Sequence, residues 1–178
     1  MKHNADVLKA GSISVVIPAI GLLMGLGLPG ILILDYVHVL LAAIWTGTDA
    51  FLGFIFYIVI SGMDDDIRYY IGKRLLPMTM FFIPAVSVIV PVAGYALAVR
   101  EGIFSMDLFF MVILILSAVL IILSYVLILP NAFFIYGHDE SSKGLISRKL
   151  WLISITASVQ LVLQIIMISL MAYIVVFS

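Results

Sequence analysis

Three side chains able to do chemistry share one apolar stretch, residues 35–63: His38, Trp45 and Asp49. At about 100° per residue, steps of seven and eleven put Trp45 and Asp49 within roughly 20° of His38 on a helix face. The rise of about 1.5 Å per residue sets Asp49 about 16 Å along the axis from His38. An imidazole near a membrane surface can ligate haem iron or a metal, or act as a hydrogen-bonding helix-end residue. An acid at mid-membrane depth points to function by default. No lysine or arginine lies at the depth of Asp49, so desolvation favours its neutral form. Its partners are expected to be Thr46 and Thr48 locally, or Gln164 on the last apolar stretch. Two roles stay open for it, a protonated structural acid and a proton-relay or ion-path group.

The surrounding chain must be membrane helix. Of 178 residues, 65% are hydrophobic and only 11% charged, which leaves no soluble domain. A net charge of −1 argues against nucleic acid as a partner. The absence of cysteine excludes disulfides, iron–sulfur clusters, thiolate zinc sites and a cysteine nucleophile. No small-residue cleavage site follows the polar head MKHNADVLKA, so the first apolar run reads as a retained span rather than a signal peptide. The fold class expected is all-α: a polytopic bundle in one membrane domain, 1–178, with spans near 12–28, 34–62, 78–99, 108–129 and 151–176. In the first span, Gly21 and Gly25 permit close helix approach or are ordinary transmembrane composition. Residues 64–77 read as a short interfacial helix stopped by Pro77, and Asp64–Asp66 as its solvated start beside Arg68 rather than a cation site. Kinks are expected at Pro84 and Pro91, an end of the fourth span at Pro130, and a polar loop over 131–150.

Alternating spans place Lys2, Lys9, Arg68, Lys73, Arg74, Lys143, Arg148 and Lys149 on one side and Arg100 alone on the other. This bias predicts an inside N-terminus and an outside C-terminus, in the plasma membrane. His38 then belongs near the outer surface, with His3 and His138 across a core about 30 Å thick, so no haem can sit between His38 and either of them. A haem on His38 needs a methionine, a partner chain's histidine or an open axial position. Met24, Met106, Met111, Met167 and Met171 lie on the outer side. Met106 and Met111 are candidate ligands for haem iron or copper, against the plain role of methionine as gap filler.

The pattern His38-x6-Trp45-x-Gly47, followed by an aromatic-rich helix end, resembles a group of small membrane proteins. That group includes the copper-resistance D family, HemJ-type protoporphyrinogen oxidases and the membrane part of bacterial urate hydroxylases. KRLLP at 73–77 and ILPNAFFIYG at 128–137 are similar to further pieces of the group. The resemblance implies a haem b or metal site at His38, with Trp45 and Gly47 in support.

No nucleophile–base pair, paired carboxylates, phosphate loop or dinucleotide fingerprint is present, so no self-contained catalytic constellation is expected. The chain reads as an integral membrane subunit of a larger redox or respiratory-type complex, associated with haem b or a metal through His38. The alternative is a stand-alone copper-handling protein or a small-solute or proton transporter using Asp49 and the outer methionines. Its surroundings are the lipid bilayer and other membrane subunits.

Overall fold

The computed structural model describes residues 2–177; the side chains of residues 2–6, 175 and 177, His3 among them, lie outside the described set. Five long helices make up the chain: α1 (Lys2–Gly27), α2 (Leu32–Ser61), α3 (Asp65–Glu101), α4 (Leu108–Gly137) and α5 (Lys143–Phe177). Each contains an apolar stretch long enough to cross a bilayer, and no strand occurs among the described residues. Large apolar side chains such as Ile17, Leu23, Phe54 and Ile115 face outward on this bundle. A helical bundle with closed backbone hydrogen bonding and an apolar exterior is a multi-pass integral membrane protein.

The links are short, so successive helices run in opposite directions. One end, rich in Lys and Arg, gathers the start of α1, the α2–α3 turn and the α4–α5 link. The opposite end gathers the α1–α2 and α3–α4 links. Two arginines tie these ends. Arg100 donates to the carbonyls of Gly25, Leu26, Leu28 and Gly30, at 2.5–3.2 Å, satisfying the acceptors that the end of α1 leaves open. Arg68 does the same for α2 at the basic end. Gly102, at φ +74°, closes α3 in the left-handed conformation, and the Asp107 carboxylate caps α4 by accepting from the Phe110 N–H at 3.0 Å. The Ser105 hydroxyl, and after it that cap, hold the Asp107 carboxyl below the usual carboxylate range.

The helices are longer than their apolar patterns. Pro77 does not stop an interfacial helix: residues 65–76 run without a break into the third span. Likewise Pro130 does not end α4, which continues to Gly137, and α5 begins at Lys143 rather than at 151. The expected polar loop over 131–150 shrinks to His138, Asp139 and one 3₁₀ turn at Glu140–Ser142. π-helical turns at Pro77–Phe82 and Ser124–Ile128 end just before Pro84 and Pro130, while a third, at Phe51–Phe56, has no proline beside it and Pro91 sits in ordinary α-helix. At the first two an N–H reaches back five residues: Ile83 to the Met78 carbonyl, Leu129 to that of Ser124. Asn131, after Pro130, adds its side-chain amide as a donor to the Leu127 carbonyl at 2.5 Å. Inside a bilayer no water can accept the freed backbone groups, so a wider turn re-pairs them where a soluble helix would end.

Gly21 and Gly25 do serve close packing. A Cβ on Gly21 would meet Val37 at 3.2 Å, and one on Gly25 would meet Leu34 at 3.1 Å, so these two glycines seat α1 on α2. The acidic start of α3 is ion-paired: Asp65 with Arg68 at 3.3 Å, Asp66 with Lys143 at 2.9 Å.

Candidate functional site

The core is divided. One apolar cluster, toward the basic end, gathers Leu52, Phe56, Ile83, Ile128, Leu150, Ile153 and Ala157 among others. A second, toward the opposite end, gathers Leu41, Trp45, Val86, Leu120 and Met167. Along α2, α4 and α5 the residues that fall between the two clusters are polar: Asp49, Ser124, Gln160 and Gln164, all fully buried or nearly so. Helix periodicity sets this up, because Asp49 lies one turn after buried Trp45, and Gln160 and Gln164 lie one turn apart on α5.

Within this polar layer Gln164 Nε2 donates to Asp49 Oδ2 at 2.8 Å. Gln160 Nε2 donates to Ser124 Oγ at 2.8 Å and to the Leu120 carbonyl at 3.0 Å. The Trp45 indole N–H approaches the Asp49 carboxyl without closing a hydrogen bond. Among the described residues five buried polar atoms are left unpaired: Trp45 Nε1, Asp49 Oδ1, Ser154 Oγ, Gln160 Oε1 and Gln164 Oε1. Native interiors pair nearly all such atoms, so the exceptions gathered at Trp45, Asp49, Gln160 and Gln164 call for a functional account, Ser154 lying further toward the basic end. All ion pairs among the described residues lie at the basic end, so Asp49 has no cationic partner.

Thr46 and Thr48 are half-buried and make no hydrogen bond to Asp49; of the three expected partners only Gln164 reaches it. Gly47 faces open space, with nothing within 4 Å of a Cβ placed there. A further close contact was not foreseen in the sequence. Gly53 on α2 sits against the backbone of α5 at Ser158, whose hydroxyl donates to the Gly53 carbonyl at 2.6 Å. The only sequence signal was a pair of small residues on two spans. Ser124 was also missed, since a lone serine in an apolar helix carries no periodic mark.

His38 lies toward the opposite end on α2, half-buried, turned onto α3. Its ring rests on Gly94, where an added Cβ would fall 2.5 Å from Cε1. Nδ1 lies 2.9 Å from the Val90 carbonyl. A carbonyl only accepts, so Nδ1 carries the proton and Nε2 keeps the lone pair. No protein-family model, curated protein or solved structure matches this chain. Whether the site fits haem is therefore a matter of its own residues. A histidine oriented by a backbone carbonyl through Nδ1–H is arranged as metal-bound histidines are. Met106, in the α3–α4 link, is 71% exposed and Met111 is 40% exposed, both facing outward, as does Met24. Met167 is buried against Ser117, whose hydroxyl lies 3.6 Å from its sulfur. Among the described residues no three His, Cys, Asp or Glu side chains converge on a metal position. Of the candidate ligands, His38 is the one oriented as an axial ligand would be.

Chemically, the layer is built to hold one proton in two ways. With Oδ1 protonated, Asp49 gains a donor that matches the unpaired carbonyl of its amide partner, Gln164. With the proton gone, the Gln164 N–H and the Trp45 indole N–H both face the carboxylate.

Proposed function

We propose that this chain is a proton-handling integral membrane subunit, in which Asp49 takes up and releases a proton at mid-membrane. The observation that carries this reading is the Asp49–Gln164 hydrogen bond inside a layer of unpaired polar atoms. Such a layer weakens a structural protein unless the open valences are used. His38, on the same face of α2 about three turns away, is the titratable group next along the stripe toward the opposite end. The setting is a larger redox-type complex, as the resemblance at His38, Trp45 and Gly47 implies.

The test is proton flux into liposomes loaded with a pH-sensitive dye, using protein isolated with its natural partners. Asp49→Asn keeps a neutral hydrogen-bonding group of the same size, so stability is expected to stay within about 1 kcal/mol. Flux is expected to fall at least tenfold. Flux unchanged in a folded Asn variant would discard the relay.

A second reading is favoured by the His38 ring geometry: haem b bound through Nε2, with the Val90 carbonyl fixing the tautomer. Haem would supply one-electron chemistry there, while this chain orients the imidazole. Gly94→Ala, which pushes on the ring, and His38→Ala are both expected to shift or remove a b-type absorption spectrum, with His138→Ala silent. Absence of haem from protein isolated with all partners would leave His38 to the proton path alone.

The distribution of Lys and Arg supports placing the basic end inside the cell, at its plasma membrane. The chain has no cysteine of its own. Single variants Ser141→Cys and Met106→Cys, at exposed positions of the two ends, are expected to react with an impermeant maleimide from opposite sides, Ser141→Cys only after the membrane is opened. Labelling of both from one side would remove the five-span arrangement.

A further inference from the structure

We propose that the outward face of the first turns of α5 is a seat for one anionic phospholipid. An open cleft of about 780 Å³ lies there, lined by Leu145, Arg148, Lys149, Trp151, Leu152 and Ile155. Leu145, Arg148, Leu152 and Ile155 follow one another at three- and four-residue steps, so they form a single stripe along the helix.

From Arg148 onward the chemistry changes in the order in which a lipid changes, and Leu145 lies one turn before it. Arg148 is flanked by Lys149, which also lines the cleft. Arg148 is exposed and makes no ion pair or hydrogen bond among the described residues. Lys149 lies over the Phe134 ring, 5.4 Å from its centroid, and makes no ion pair among the described residues. Trp151 follows, held edge-on against Tyr57 at 4.5 Å and facing the Arg68 guanidinium at 5.9 Å, so its indole is a fixed wall at the interfacial level. Leu152 and Ile155 come next, exposed and apolar, where an acyl chain would lie.

Charge decides between classes of lipid. One phosphodiester of a zwitterionic lipid is already balanced by its own headgroup cation, whereas two unneutralised cations side by side match a headgroup with net negative charge. The neighbouring cleft between α3 and the α4–α5 link also holds cations, Lys73 and Arg74. It is lined as well by Asp139 and Glu140, which oppose an anion. That contrast supplies a control on the same side of the membrane.

The experiment is native mass spectrometry of the full chain in detergent, titrated with phosphatidylglycerol or phosphatidylcholine of identical chains. One phosphatidylglycerol is expected to bind with a clear preference over phosphatidylcholine. Each near-surface cation contributes about a fivefold factor, so Arg148→Gln alone is expected to cost about fivefold. Arg148→Gln with Lys149→Gln is expected to abolish the preference. Arg74→Gln is expected to change it less than twofold. Leu152→Asn, which makes the acyl seat polar, is expected to weaken both lipids while preserving their order. Because Arg148 is exposed and unbonded, its single variant reports even if the double variant loses thermal stability. Equal binding of the two lipids, or an equal loss in Arg74→Gln, overturns the proposal in favour of general charge attraction. Displacement by millimolar inorganic phosphate overturns it in favour of a soluble anion.

Discussion

Gly53→Ala is expected to cost about 3 kcal/mol, among the largest single-site effects in this protein, although it adds one methyl group. The Cβ would fall 2.5 Å from the backbone nitrogen of Ser158 and 2.7 Å from its Cα. Backbone cannot rotate away as a flexible side chain can, so α2 and α5 must separate. Separation would also break the 2.6 Å bond from the Ser158 hydroxyl to the Gly53 carbonyl and displace the neighbouring Asp49–Gln164 pair. The measurement is thermal unfolding in detergent followed by tryptophan emission, to which buried Trp45 is a sensitive contributor. Gly62→Ala, where nothing lies within 4 Å of the added Cβ, serves as the control and is expected to leave the midpoint nearly unchanged. An unaltered midpoint in Gly53→Ala would mean that the two helices do not meet there.

Removing the Arg68 guanidinium is expected to cost about 2–3 kcal/mol, because one planar group serves three helices. Its Nε donates to the Ile60 carbonyl at 2.8 Å and its Nη2 to the Ser61 carbonyl at 3.3 Å, both acceptors at the end of α2. Its Nη1 reaches Asp65 Oδ1 at 3.3 Å on α3 and Ser147 Oγ at 3.1 Å on α5. Arg68→Ala leaves the two α2 carbonyls without these donors and Trp151 without its cation. Arg68→Lys is expected to recover less than half of the loss, since a single ammonium cannot span the same fork of acceptors. The same unfolding measurement decides it, and full rescue by lysine would show that charge alone matters at this corner.

Much of this architecture is written in composition. Runs of apolar residues about 20 long can only be spanning helices, because a bilayer leaves no other way to pair the backbone. Five of them, with short links, determine an antiparallel bundle without reference to neighbours. The face shared by His38, Trp45 and Asp49 also follows from helix geometry alone, and Gln164 was among the partners that depth permitted.

Tertiary structure decided the rest. Where Pro84 and Pro130 stand, local rules break or end a helix. Surrounding protein and lipid leave no water to receive the freed groups, so π turns carry the chain through instead. Between Thr46, Thr48 and Gln164, only packing could choose the partner of Asp49, since hydrogen bonding across helices depends on which faces meet. The outward set of Met106 and Met111 belongs to the same class of facts. A methionine near the right depth carries no mark of its azimuth relative to another helix. Gly53 against Ser158 shows the limit most clearly: two small residues 105 positions apart acquire meaning only when their backbones touch.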